Sequence, residues 1–521
     1  MLFNSHVFVL AFLPVTLAGF LLLCRLPSKV PARLWLLAAS LVFYGWWGLR
    51  DLALLLLAIG FNYGMGLAIR AARARGGAAA ARRSRALMAL GVAANLALLA
   101  YYKYAVFVAG NAAALTGLDF AVRAVALPLG ISFFTFQQIA YLVDVHRGEA
   151  EEYSLADYAL FVSFFPQLIA GPIVHHRELI PPLHRPETYR FRETDFAAGI
   201  AFFVIGLVKK LVIADPVGAL ADPVFMAAAV DPPGLVEAWL ATLAFSLGLY
   251  FDFSAYSDMA VGLARMFGLR LAYNFNSPYK ADSIVEFWRR WHMTLSRFLR
   301  DYVYIPLGGS RQGPWRRHAN LMATMLLGGL WHGAGWTFVA WGGLHGLYLL
   351  VNHAWNGFAA RTEAATGRRP RLGAPLAQAL TLLAVMVAWV FFAAPSFAAA
   401  MAVLAGMLGA NGAARPELLA LAGVVLDGGG LAGLRAEVGG TVMLHGATAL
   451  GTLALGLVVV LAAPNSQEIV DGRAERVDEP RRWHRRLRFR PGPAAALVAA
   501  AAFLVGFALM SDVREFVYFQ F

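Results

Sequence analysis

The sequence is short of cysteine and short of charge. Cys24 is its one cysteine in 521 residues, which excludes an internal disulfide and a cysteine-built metal site. Charged residues make up 14% of the chain and hydrophobic residues 60%, a balance that fits a polytopic membrane protein and little else. No G-x-S-x-G elbow, Walker loop or H-x-x-x-H spacing occurs, so the signatures of a serine hydrolase, a P-loop NTPase and a helical zinc site are missing. Met1 to Phe12 lacks the basic start of a secretory signal, and the first apolar run reads as a retained transmembrane helix. Internal repeats are not evident, which speaks against a two-fold transporter.

What is present is a long series of apolar runs, near 6–24, 34–48, 52–69, 86–108, 121–143, 156–174, 197–214, 236–265, 319–331, 334–352, 375–395, 441–463 and 494–511. Several are short or interrupted. The expectation is an all-α chain of about ten to thirteen membrane elements. The net charge of +13 is no nucleic-acid signal, because the basic residues cluster in short loops between apolar runs. Arg25, Lys29 and Arg33, then the arginines of 70–85, those of 361–371 and the eight of 473–490 mark cytoplasmic loops. That assignment places both termini outside the cytoplasm.

The stretch from Ser277 to Gly346 stands apart. It sets His292 and His332 in strongly apolar surroundings, beside many arginines and tryptophans, and ionisable groups inside a membrane protein are rarely idle. Ser283 followed by Glu286 predicts a helix start. Apolar residues recur at helical spacing from Ile284 to Leu299, predicting one basic amphipathic helix at the membrane interface with His292 near its middle. Arg311, Arg316 and Arg317 precede the run that reaches Trp331-His332-Gly333. If those arginines mark one face, His332 lies well inside the membrane. Gly328, Gly329, Gly333 and Gly335 allow a bend or a close approach there. A buried chamber around His332 is the expectation, since irregular backbone at that depth needs protein or a cavity around it.

Other polar residues break the apolar pattern. Gln137, Gln138, Tyr141, Asp144 and His146 follow one run. His175 and His176, after a Pro/Gly break, read as a loop or the cytoplasmic mouth. Asp252 and Asp258 read as partners of a nearby Lys or Arg, with a relay as the other option. His345 comes thirteen residues after His332. On a continuous helix that is about 20 Å, so a structural role is expected for it.

These motifs carry a resemblance. LPLGISFFTFQQIAYLVDVHRG (127–148), FFPQLIAGPI (164–173), FDFSAYSDMAVG (251–262), NFNSPYKADSIVEFWRRWHMTLSRFLRDYVYIPLGG (274–309), LLGGLWHGAGWTFVAWGGLHG (326–346) and the tail EFVYFQF resemble the membrane-bound O-acyltransferase (MBOAT) family. The resemblance is to the bacterial branch typified by the alginate O-acetyltransferase membrane subunit. It implies a ring of membrane helices, with short re-entrant or interfacial helices, around a central buried tunnel. It implies a single integral-membrane domain, with N-terminal helices in 1–125, a catalytic core in 126–355 and C-terminal helices in 356–521. It implies an enzyme of the inner membrane that takes an acetyl group from a cytoplasmic donor such as acetyl-CoA. No bound cofactor is expected, and no ligand spacing supports a zinc site built from His292, His332 and His345. The acetyl group would pass towards a cell-envelope polysaccharide such as alginate, through a separate extracytoplasmic acetyl-transferring partner.

The family's invariant histidine matches His332, and its other active-site polar position matches His292. Acyl transfer to an alcohol needs a base for the hydroxyl proton, and an imidazole in an apolar chamber stays neutral because burial disfavours its charged form. His332 is the expected base. His292 would orient a substrate or stabilise the oxyanion. The bland alternative for each is a buried histidine bonded to a backbone carbonyl. Arg289, Arg290 and Arg297 could meet the donor's phosphates, or simply lipid headgroups. Tyr518, in an aromatic tail, is a possible acyl carrier or a membrane-belt anchor. The rival readings are a lipid or glycan transporter or flippase, a non-catalytic scaffold, and an acyltransferase for a different acyl group.

Overall fold

The computed structural model describes residues 1–118, 120, 122, 125–414, 446–472, 487–510 and 516. Tyr518 lies outside the described residues, and so do the arginines of 473–486. Every regular element among the described residues is helical.

Helices α1 (Phe8–Leu23), α2 (Val30–Gly45), α3 (Leu49–Ala74) and α4 (Gly77–Thr116) open the chain. Helices α5 (Ile131–Arg147), α6 (Leu155–Ser163) and α7 (His176–Leu183) follow, then the long α8 (Glu193–Ala227) and α9 (Leu235–Met266). Two short helices, α10 (Ile284–Arg290) and α11 (Met293–Leu299), lead into α12 (Gly313–His332) and α13 (Trp336–Thr366). The chain closes with α14 (Ala374–Ala393), α15 (Phe397–Met407), α16 (Gly446–Ala462), α17 (Ser466–Val470) and α18 (Pro493–Ala508).

A helix needs about 20 apolar residues to cross hydrocarbon. Helices α3, α4, α8, α9 and α14 meet that demand by length and composition, and α1, α2, α15, α18 and residues Gly451–Ala462 are shorter apolar helices. Their outer faces carry exposed large apolar side chains, among them Val42, Leu57, Leu497, Val498 and Leu504. In water such a band would be a severe liability; in a bilayer it faces a matching solvent.

Helices α8 and α9 pack antiparallel at the centre, and small residues let them do so. A Cβ on Gly199 would stand 2.8 Å from the carbonyl oxygen of Gly262, and one on Gly206 would stand 2.6 Å from that of Ala255. Helix association in lipid relies on this kind of close backbone approach. The pair is also charged inside. Lys209 Nζ lies 2.6 Å from Asp258, and Lys210 Nζ lies 2.7 Å from Asp252 and 2.8 Å from Asp215. Asp252 and Asp258 thus have the lysine partners expected of them.

Long-range contacts tie the first two basic loops to the segment from Val145 to His184. Arg33 pairs with Asp157 at 2.8 Å, Arg73 donates to the Val145 carbonyl, and Arg177 pairs with Glu149. His175 and His176 lie in the same region, but His176 is no loop residue. It is buried at the start of α7, with Nε2 3.1 Å from Asp144 and Nδ1 2.8 Å from the Tyr153 hydroxyl. Of the C-terminal tail, Phe516 is described: it is buried, edge-on to Tyr256, with Lys210 over its ring.

Candidate active site

The continuous helix expected through His292 is broken at that residue. The Ser283 cap forms, its hydroxyl accepting from the Glu286 N–H, and the helix runs to Arg290. Then His292 adopts φ 41° and ψ 54°, a left-handed conformation, and α11 starts afresh at Met293. Outside glycine this region is uncommon, and strained residues concentrate at functional sites. The cause of the break is long-range. The extended segment before it supplies alternative backbone partners: the Met293 N–H donates to the Asn274 carbonyl, and the Asn276 N–H donates to the Arg290 carbonyl, both at 2.9 Å. The Thr294 hydroxyl adds a bond to Asn274 Oδ1 and accepts from the Ile173 N–H, while Asn274 Nδ2 reaches the Ser257 hydroxyl. His292 is fully buried, its ring edge-on to Phe253 with centroids 4.7 Å apart.

His332 is the last residue of α12. Some fifteen residues separate it from Arg317, roughly 22 Å along the helix. The helix stops because Gly333 is extended, and the chain turns back into α13 after Gly335. The two helices then close tightly on each other. A Cβ on Gly329 would stand 2.3 Å from the Phe338 carbonyl oxygen, and one on Gly342 would stand 2.3 Å from that of Met325.

Rings enclose the His332 imidazole, which is 2% exposed. Trp331 lies 4.9 Å from it, Trp341 5.0 Å, Phe392 5.2 Å and His292 6.5 Å, centroid to centroid. The surroundings expected as a chamber are thus an aromatic cage. The antiparallel turn also corrects the separation assumed for His345. The chain is not one helix across Gly333–Gly335, and His345 sits one ring beyond His332, 4.9 Å from Trp341. Its Nδ1 accepts from Trp288 Nε1 at 3.3 Å, a contact that suits the structural role expected of it.

A cation stands at the same helix end. Lys103 of α4 donates to the carbonyls of Trp331 and His332 at 2.5 and 3.2 Å, and Tyr104 donates to the Leu330 carbonyl at 2.8 Å. Of the three arginines, Arg297 forms a fork with Glu178 at 2.5 and 2.9 Å, and Arg290 binds Glu286 at 2.8 Å. Arg289 is the exposed one, with Glu286 at 3.5 Å. Chemically, the arrangement offers two imidazoles side by side in a buried, ring-lined enclosure. That is a setting in which one imidazole could take up a proton while the other orients a reactant.

Residues 129–394, which span both histidines, match the model of MBOAT, the membrane-bound O-acyltransferase family. The chain belongs to this family. The peptidoglycan O-acetyltransferase of Helicobacter pylori is 42% identical over 439 residues, covering 79% of this chain and 80% of that protein. The probable alginate O-acetylase AlgI of Azotobacter vinelandii is 43% identical over 416 residues, covering 78% of each. The teichoic acid D-alanyltransferase of Streptococcus thermophilus is 30% identical over 244 residues, covering 44% of this chain and 57% of that protein. The protein is therefore a multi-pass membrane enzyme, an acyltransferase.

Sequence reasoning missed several residues of this acyltransferase's histidine enclosure: Lys103, Tyr104, Phe253, Asn274, Trp341 and Phe392. One of them carried a signal. Lys103 is a lone cation within the 86–108 apolar run, the situation that marks intramembrane function.

Proposed function

We propose that this acyltransferase is an O-acetyltransferase subunit of the bacterial inner membrane, with both termini outside the cytoplasm. It takes acetyl groups from acetyl-CoA on the cytoplasmic side and serves O-acetylation of a cell-envelope or secreted polysaccharide. Relatives named for peptidoglycan and for alginate, each covering over three quarters of the chain, support that acceptor class. The final transfer to polymer falls to a separate extracytoplasmic partner protein.

The observation that carries the reading is the placement of His292 and His332. Both are buried, both sit where a helix breaks, and their rings are 6.5 Å apart. In the proposed reaction the His332 imidazole accepts the proton of an acceptor hydroxyl. The oxygen attacks the thioester carbonyl, the C–S bond breaks, and the imidazolium returns its proton to the departing thiolate. His292 orients a reactant or donates to the oxyanion. Among the arginines, Arg289 is the candidate for the donor's phosphates, because it is exposed and only loosely paired with Glu286 at 3.5 Å, whereas carboxylates hold Arg290 and Arg297 closely. Tyr518 is proposed as acyl carrier from its sequence context alone.

Mass analysis of surface polymers from wild-type and His332→Ala cells tests the reading. Polymer acetate should vanish in the variant. Unchanged acetylation would reject it in favour of a scaffold or transporter.

A further inference from the structure

The end of α12 poses a hydrogen-bonding problem. The last four carbonyls of a helix have no donor within it, and buried carbonyls left unpaired are costly. The chain after His332 gives little help, because Gly333 is extended and forms no left-handed cap. The Gly333 N–H meets only the Gly329 carbonyl, at 3.4 Å. The other three carbonyls are met from another helix altogether. Tyr104 takes Leu330, while Lys103 takes both Trp331 and His332. With these two residues the accounting closes.

Lys103 and Tyr104 end a π-helical turn, Ala100–Tyr104, within α4. Such turns are rare and recur at functional sites. Lys103 also reaches the Ser132 hydroxyl at 3.4 Å and lies 5.8 Å from the Trp331 ring centroid. Its ammonium stands at the negative end of the α12 dipole, where a cation is favoured. The side chain next to those gripped carbonyls is the His332 imidazole.

We infer that Lys103, supported by Tyr104, is a positioning residue for acyl transfer: it fixes the carbonyl end of α12 and thereby the place of the His332 ring opposite His292. Lys103 acts on the backbone of His332 and touches no reactant. The inference rests on the reading of His332 as the base.

The experiment measures coenzyme A release from acetyl-CoA in membrane vesicles that retain the acceptor polymer and the partner proteins, so that the acetyl group has a hydroxyl to go to, per mole of folded enzyme, for wild type, Lys103→Met, Lys103→Arg, Tyr104→Phe and His332→Ala. A small misplacement of a reacting group costs about a hundredfold, so Lys103→Met should lose about that much kcat with KM for acetyl-CoA nearly unchanged. Lys103→Arg keeps a cationic donor and should recover most of the loss. Tyr104→Phe removes one hydroxyl and should lower kcat about tenfold, a milder misplacement of the same kind. A Lys103→Met protein with wild-type kcat per folded molecule overturns the inference. Should Lys103→Met fail to fold, Tyr104→Phe decides: full kcat there overturns it as well. The underlying reading fails separately, through a wild type that releases no coenzyme A or a His332→Ala protein that still does. An inactive His332→Ala beside a fully active Lys103→Met sinks the positioning role alone.

Discussion

The His292 and His332 rings lie 6.5 Å apart at an interplanar angle of 60°, each at the end of a helix interrupted for a different reason. His292 is placed by strained backbone, His332 by a glycine stop. The two substitutions should therefore differ in kind. His332→Gln should lower acetyl transfer by about 10²–10⁴-fold, the usual contribution of a general base. His292→Gln should cost about 10²-fold, the lower range for a lost oxyanion donor. Coenzyme A release by the variants in membrane vesicles that retain the acceptor polymer and the partner proteins checks both, and a His332→Gln enzyme within threefold of wild type, taken as about 0.7 kcal/mol, would remove the base assignment.

The α12–α13 hairpin should not tolerate a methyl group at its closest approach. Gly342→Ala would put a Cβ 2.3 Å from the Met325 carbonyl, whereas Gly343→Ala would meet only Leu326 Cδ2 at 3.6 Å, an ordinary contact. Overpacking of this kind costs about 1–3 kcal/mol. Thermal melts in detergent should show a lowered Tm for Gly342→Ala and a near-native one for Gly343→Ala, with acetyl transfer falling in the first only. Equal behaviour of the two variants would contradict the packing described.

Apolar runs and charge clusters were enough to read an all-helical membrane chain, and the motif around Trp331-His332-Gly333 was enough to point to the buried ring cluster that the structure gathers around His332. The break at His292 was not legible, because it depends on backbone partners at Asn274 and Asn276 that helical periodicity does not register. The distance to His345 was misjudged because 1.5 Å per residue was carried across Gly333–Gly335, where the chain reverses. The glycines were visible; that they reverse the chain was not. Arg297 finds its carboxylate partner 119 positions away, a pairing that no local pattern contains. Lys103 was visible as an isolated cation, but its targets are main-chain carbonyls, which every residue possesses.

The Arg297–Glu178 fork should make stability pH-dependent in a defined direction. Burial works against the Glu178 carboxylate, yet Arg297 outweighs it and holds the group below its ordinary value of 4.5. A carboxyl depressed by folding stabilises fully above that ordinary value and loses its contribution as pH falls below it. Both side chains are about one-third exposed, so the effect is about 1 kcal/mol or less rather than the larger figure for a fully buried pair. Glu178→Gln should lower Tm at pH 7 and flatten the decline of Tm between about pH 5 and pH 3, the range in which a carboxyl held below 4.5 takes up its proton. Parallel Tm profiles for wild type and variant would show that the fork does not supply the dependence.

The buried Lys209–Asp258 pair should prove structural in a double-mutant cycle. Its 2.6 Å contact joins α8 to α9, and Asp258 also accepts from the Ser466 hydroxyl at 2.8 Å, so three helices meet at one carboxylate. Removing one member of a buried pair strands a charge and costs about 3–5 kcal/mol, whereas replacing both members by neutral groups costs far less. Lys209→Met and Asp258→Asn should each lower Tm sharply, and the double variant should regain much of the loss. A proton relay would behave otherwise. Asp258→Asn would then keep its Tm and lose acetyl transfer per folded molecule, and the lysine substitution would not restore it. Melting curves and coenzyme A release from the same four preparations separate the two, because the ion pair acts through stability and a relay through turnover.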